Sequence, residues 1–230
     1  MYNLKVVLKL YSDINNFHAY EKLSNFINFA MDKNAELRLM HEKNCYKPYC
    51  FCSLYPIPSD GIYRKENIYQ FDIRSIKLEF IVLLKQMLNN LENNDFKVIM
   101  TNLETREYKK IETLITITPC IMTTGKDYKI PDDMELVKKR IIDNAQKKYK
   151  QVYGKEIKVD FIKEITRTNR IPIKIPYKNV NLLGYKFKIS IKDDELSQQL
   201  AYLVFCIGLL EKNSLGFGFC VARKEDRSDK

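Results

Sequence analysis

The chain has only two histidines, His18 and His41, and histidine is the side chain whose ordinary pKa of about 6.5 lets it take and give protons near neutrality. His41 opens the segment His41-Glu-Lys-Asn-Cys-Tyr-Lys47, so a cation follows it six residues on. From the residues alone this segment has two readings. It is a solvated loop without a role, or it pairs a proton-transfer group with a charge that stabilises an anion. Towards the other end, Glu211-Lys-Asn-Ser-Leu-Gly-Phe-Gly-Phe219 sets Gly216 and Gly218 beside Lys212, Asn213 and Ser214. Glycines so spaced let the backbone turn tightly and bring N–H groups close to an anion. A plain helix-to-strand turn uses them equally well.

A third feature is basic. Ile171, Ile173, Ile175 and Tyr177 share one face of an alternating run, with Lys174 and Lys178 on the other; Tyr185, Phe187, Ile189 and Ile191 likewise oppose Lys186, Lys188 and Lys192. A two-stranded ribbon with one core face and one basic face, preceded by Arg167 and Arg170, could follow a nucleic-acid backbone through phosphate contacts. Pro172 and Pro176 lack N–H donors and place the first run at a sheet edge. The lysine-rich segment with Lys138, Lys139, Arg140, Lys147, Lys148 and Lys150 also carries Asp132, Asp133, Glu135 and Asp143. It reads as a solvated amphipathic helix and is assigned no site.

The elements that must hold these residues follow from periodicity. Leu4, Val6, Leu8 and Leu10 alternate as a half-buried strand over residues 2–11. Asn15 or Asn16 caps a helix to about residue 33, with Tyr20, Leu23, Ile27, Ala30 and Met31 on its apolar face and His18 about 160° away from it. Lys47–Tyr55 and Ile62–Ile73 flank the turn Pro58-Ser-Asp-Gly61 as a hairpin. A helix spans Ile76–Leu91 and a strand Phe96–Asn102, giving β-α-β-β-α-β, the ferredoxin-like order.

The second half repeats that order. It runs through a strand at Thr113–Met122, a helix opened by Pro131, Asp132 and Glu135 as a capping box and stopped by Gly154, and a strand at Ile157–Phe161. The ribbon Ile171–Ile191, a helix from Asp194 to Leu209 and a strand at Phe217–Ala222 complete it. The expected fold is α+β, two tandem ferredoxin-like domains over residues 1–110 and 111–230.

With 39 Lys and Arg against 29 Asp and Glu, a net charge of +10 and 45% hydrophobic residues, the chain reads as folded throughout with a polyanionic partner. Its longest apolar run, Leu200–Leu210, is too short to cross a bilayer of about 30 Å, so no membrane role is expected. Met1–Leu10 carries alternating charges in place of a signal core, and the expected location is cytoplasmic. Six cysteines without a C-x-x-C pair point to reduced thiols and no metal or cofactor.

Two of these segments also carry a resemblance. Gly208 followed by Glu211-Lys-Asn-Ser-Leu-Gly-Phe-Gly-Phe219 closely resembles the C-terminal glycine-rich loop of the CRISPR precursor-RNA processing endoribonucleases, the Cas-six family of the RAMP superfamily. His41 and Lys47, followed by the aromatic-rich run to Ser53, resemble that family's H-x5-K segment. The family's loop has a second glycine where this chain has Leu210, and its helix tyrosine is met here by Phe26 and Phe29. The resemblance implies two ferredoxin-like domains and cleavage of CRISPR repeat RNA without metal, leaving a 2′,3′-cyclic phosphate and a 5′-hydroxyl. His41 and Lys47 would then be catalytic. Arg167, Arg170, Lys174, Lys178, Lys186, Lys188, Lys192, Lys212, Asn213, Ser214, Gly216 and Gly218 would face RNA, in a monomer or homodimer. A different class, a non-catalytic RNA-binding subunit of a CRISPR effector complex, shares the fold and stands as the alternative.

Overall fold

The computed structural model describes residues 1–107, 110–123 and 132–223. The first half comprises β1 (Tyr2–Leu10), β2 (Ile14–Asn15), α1 (Ala19–Met31), α2 (Ala35–Glu42), β3 (Tyr49–Phe51), β4 (Ile62–Tyr63), β5 (Ile68–Ser75), α3 (Leu78–Leu88) and β6 (Phe96–Thr105). Its main sheet has the order β3-β5-β1-β6, all antiparallel. Leu4, Val6, Leu8 and Leu10 turn inward together, as the alternation predicts, and meet Leu23, Ile27 and Leu84 in one core.

Three features of this half differ from the periodicity. The first helix begins after His18, whose ring makes no cap bond, and Asn15 instead accepts from the N–H of Phe17 at 3.0 Å. It also stops at Met31, because Asn34 starts a second helix by accepting from the N–H groups of Glu36 and Leu37. The strand expected over Ile62–Ile73 is divided at Glu66, whose φ of 66° breaks the extended backbone. The piece before the break pairs with β2 and the piece after it with β1 and β3.

The second half comprises β7 (Thr113–Thr116), α4 (Met134–Tyr153), β8 (Ile162–Arg167), β9 (Ile173–Tyr177), β10 (Val180–Gly184), β11 (Phe187–Ile191), α5 (Glu195–Ile207) and β12 (Cys220–Arg223). The order β12-β7-β11-β8 repeats that of the first sheet, fourth strand, first, third and second. The cap of α4 is Asp133 rather than Asp132, and Asp132 pairs with Arg167 at 3.1 Å; Pro131 lies outside the described residues. Gly154 closes α4 with φ 70°. Ile157 and Phe161 are buried, but so is the adjacent Ile162, and the strand expected over Ile157–Phe161 begins only at Ile162.

The ribbon is also built differently. β9 pairs with β10 across the turn at Lys178 and Asn179, while β11 leaves the ribbon and lies inside the main sheet between β7 and β8. Gly184 explains the change of partner: a Cβ there would stand 2.8 Å from the Cys120 carbonyl oxygen, so the chain crosses Pro119 and Cys120 at close range before β11 begins.

The two sheets meet along a seam fastened by Arg74 of β5. Its guanidinium lies between the rings of Phe205 and Phe219, 4.3 and 3.9 Å from their centroids, and donates to the Cys220 carbonyl at 2.6 Å. Tyr20 of α1 stacks on Phe217 at 5.4 Å, and the Met1 amino group reaches the Arg106 carbonyl and the Tyr202 hydroxyl. Arg74→Met keeps much of the stem but strands the Cys220 carbonyl and removes the stacking on both rings. It should lower unfolding free energy by about 2–4 kcal/mol, read from urea denaturation.

Candidate functional site

His41 sits half-buried in the last turn of α2, not in an open loop. The chain then reverses through Lys43–Tyr46, and Lys47 folds back so that its ammonium donates to the carbonyls of Met40, His41 and Lys43 at 3.0, 2.6 and 2.5 Å. The Met40 and His41 carbonyls are among those that a helix end leaves without partners, the Lys43 carbonyl also accepts from the N–H of Cys45 at 2.9 Å, and an ammonium has three N–H groups to give. Lys47 thus closes the turn that carries His41, and partial burial lowers its pKa. The expectation that its charge lies open to a phosphate gives way to a structural role. Of the two phenylalanines in the neighbourhood of the helix tyrosine expected from the resemblance, Phe26 is fully buried edge-on to Phe96 at 5.3 Å, Phe29 is exposed with the Lys33 ammonium over its ring, and neither offers a polar group.

The turn rests on the other half of the molecule. The N–H and carbonyl of Tyr46 both bond to the side-chain amide of Gln151, at 2.9 and 2.7 Å. Asn144 donates to its hydroxyl at 3.3 Å, and the Lys148 ammonium lies 5.6 Å from its ring centroid. All three partners belong to α4, the helix read from sequence as solvated.

Lys148 itself is buried, 1% exposed, and donates to the carbonyls of Gly208 and Leu210 at 2.8 and 2.6 Å and to Asn213 Oδ1 at 2.6 Å. Burial pushes its pKa down from 10.5 to about 7. The signal for it was present: Val137, Ile141, Asn144 and Lys148 recur at helical spacing, so a lysine stood in the apolar register of α4.

The glycine-rich loop wraps around that ammonium. Asn213 is buried and its amide donates to the carbonyls of Leu209 and Phe217, both at 2.9 Å. A Cβ on Gly208 would lie 2.5 Å from the Asn213 side chain, and one on Gly218 only 2.0 Å from the Leu209 carbonyl oxygen. The N–H groups of Gly216 and Gly218 go to the carbonyls of Asn213 and Pro119 at 3.0 and 2.8 Å. Gly216, Gly218 and Asn213, expected at an RNA surface, instead spend these polar groups inside the protein. Leu210 takes φ 56°, the left-handed conformation that glycine favours, so a leucine adopts it where the family has glycine. Ser214 accepts from Ser24 through its carbonyl, and Lys212 is half-buried with φ 58°.

The basic residues separate. Lys174, Lys178, Lys188 and Arg170 are exposed. Arg167 lies over Tyr185 at 3.9 Å and pairs with Asp132, and Lys192 pairs with Asp160 at 3.0 Å. Lys186 lines a cavity of about 350 Å³ between the halves, with Asn16, Phe17, Tyr20, Tyr55 and Tyr63 among its other walls, and burial lowers its pKa. β9 and β10 pack against Tyr20 of α1 through Ile175 and Leu182. His41 and Lys47 therefore share one turn, the glycine-rich loop reaches that turn through Lys148, and the ribbon is anchored at the start of α1. His18 is exposed at the head of α1. Among the described residues no helix is long and apolar enough to cross a membrane.

Residues 103–222 match the family model described as CRISPR associated protein Cas6, C-terminal. The chain is 30% identical over 217 residues to the CRISPR-associated endoribonuclease Cas6 2 of Methanocaldococcus jannaschii, covering 83% of this chain and 87% of that one. Among solved structures it is similar to one described as CRISPR associated protein Cas6, with a TM-score of 0.73 and 21% identity over 97% of this chain and 99% of the other. It is also similar to one described as an RAMP protein binding different RNA substrates, with a TM-score of 0.76 and 16% identity over 97% and 100%. At these identities the structural likeness speaks for the fold, two ferredoxin-like domains in tandem.

Lys148→Met retains stem length but leaves three oxygens without their donor. It should cost about 3 kcal/mol or more in urea unfolding, since each stranded acceptor is worth about 1–3 kcal/mol. The gap between wild type and variant should depend on pH. With the folded value near 7 and the unfolded one near 10.5, the unfolded chain holds the proton more tightly across that window, so wild-type stability rises relative to the variant from pH 7 towards 10 and is flat below. Measurements at pH 6 and pH 9 read the sign.

Proposed function

The chain belongs to the CRISPR-associated Cas6 family, and on that premise we propose that it is an endoribonuclease that binds CRISPR repeat RNA and cuts precursor transcripts into guide RNAs. The observation that carries the site assignment is the turn at the end of α2, in which Lys47 closes the backbone around His41. A histidine fixed in a short, cross-braced turn has the positional definition that proton transfer requires.

The cleavage needs no metal, because the RNA supplies its own nucleophile. The 2′-hydroxyl loses its proton to a base and its oxygen bonds to the adjacent phosphorus. The bond from phosphorus to the 5′-oxygen breaks, and that oxygen takes a proton from an acid. The products are a 2′,3′-cyclic phosphate and a 5′-hydroxyl. His41 serves one of the two proton steps, and Lys47 acts by holding its turn. Binding rests on Lys174, Lys178, Lys188 and Arg170, which stand exposed, with Lys186 in the wall of the cavity between the halves. These cations neutralise phosphates and release counterions, a mode of binding that weakens steeply with salt.

His41→Ala should reduce the single-turnover rate on repeat RNA in EDTA by about 10² to 10⁴-fold with affinity nearly unchanged. A deoxyribose at the cut site should abolish cleavage and spare binding. A wild-type rate in His41→Ala combined with loss in His18→Ala would move the site to the head of α1, and a strict need for divalent metal in the chemical step would refute the mechanism. A wild type that binds repeat RNA tightly and never cuts would be the non-catalytic effector subunit.

Lys174→Ala with Lys188→Ala should weaken binding and lower the slope of log K against log salt by roughly one for each phosphate no longer neutralised. An unchanged slope would return both lysines to ordinary surface.

A further inference from the structure

We propose that Asn144, Lys148 and Gln151 of α4 form a positioning device for cleavage, acting through Tyr46 on the turn that carries His41. The inference rests on the reading of His41 as the cleaving residue. The three side chains recur at intervals of four and three residues, which places them on one face of the helix, and they meet the three chemically distinct parts of Tyr46. Gln151 takes the backbone N–H and carbonyl in one two-point bond, Asn144 the hydroxyl, and Lys148 the ring face.

The turn needs such support. Glu42, Lys43, Asn44 and Cys45 are exposed, and α2 buries only Leu37. Fixing each backbone residue costs about 1–2 kcal/mol of conformational entropy, which a segment without a core cannot recover by itself. Lys47 braces the turn from the helix side and Tyr46 braces it from α4. Since Lys148 also holds the glycine-rich loop, one helix sets the relative placement of that loop and of His41.

Gln151 is exposed on α4, so Gln151→Ala removes the two-point bond while keeping a good helix former. It should slow single-turnover cleavage by about 10 to 10²-fold, the scale of a small misplacement of a reacting group, with repeat-RNA affinity unchanged within about twofold. The same substitution in a His41→Ala background should change the residual rate little, because its effect passes through His41. With only two histidines in the chain, the imidazole carbon-proton resonances give a second readout. Those of His41 should shift or broaden in Gln151→Ala while those of His18 stay in place. Gln151→Glu, which keeps the acceptor for the Tyr46 N–H but turns a second carboxylate oxygen towards the Tyr46 carbonyl, should slow cleavage at least as much as alanine does. A wild-type rate in Gln151→Ala, an equal loss in both backgrounds, or an unmoved His41 resonance would overturn the proposal. A His41→Ala enzyme that cuts normally would instead overturn the assignment of His41 on which it rests.

Discussion

The ammonium of Lys148 is bonded to two main-chain carbonyls and one amide oxygen rather than to a carboxylate, and the shape of the glycine-rich loop is what supplies them. To turn the carbonyls of Gly208 and Leu210 towards one point, the chain takes positive φ at residues 208, 210 and 212 and again at 216 and 218. Glycine at 208 and 218 also leaves room for the Asn213 side chain and the Leu209 carbonyl, which a methyl group would strike. A buried cation without acceptors around it is costly. Cation and loop therefore depend on each other: the loop encloses the charge, and the charge satisfies carbonyls that the loop turns inward.

Arg74 plays the corresponding part at the seam between the sheets. It too is buried, and it too is held by carbonyl dipoles and aromatic faces, those of Phe205 and Phe219. A guanidinium suits this place because it is planar and weakly hydrated, so stacking between rings costs it less than it would cost an ammonium. Lys148, by contrast, meets three oxygens converging on one nitrogen, the geometry of a point charge with three rotatable donors. Each site uses the cation whose shape matches its acceptors.

Much of this architecture was legible in the sequence, because strands with one buried face and helices with one apolar stripe announce themselves by period. Residues 2–10 are an example, with Leu4, Val6, Leu8 and Leu10 all in the core. What could not be read followed from contacts distant along the chain. The helix bearing His41 is short and buries one side chain, so its periodicity is too weak to distinguish it from a loop after residue 33; Asn34 is its local mark. The alternation of Lys186 and Lys188 fits any strand, a ribbon's included, and only the close approach at Gly184 decides which sheet that strand joins. Lys47, Gly216, Gly218 and Asn213 look from sequence like groups facing a ligand, since a sequence shows which donors exist but not that the protein bonds them internally. Lys148 is illegible for the opposite reason, hidden among neighbours of the same charge.

Under the proposed function these facts imply a division of labour along the chain. The exposed lysines of the ribbon and of β11 belong to the C-terminal half, whereas His41 lies on a helix of the N-terminal half. A substrate held by one half and cut by the other would lose its alignment if the halves moved independently, because reacting atoms must be placed to a fraction of an ångström. The seam removes that freedom at several points. Arg74 enters from the N-terminal sheet, Tyr46 is taken up by α4, and Gly216 fits against Tyr20 and Phe51, where a Cβ would come within 2.9 and 2.8 Å of their rings. The glycine-rich loop, the feature most visible in the sequence, then serves the reaction by fixing where the RNA-holding half stands relative to the histidine.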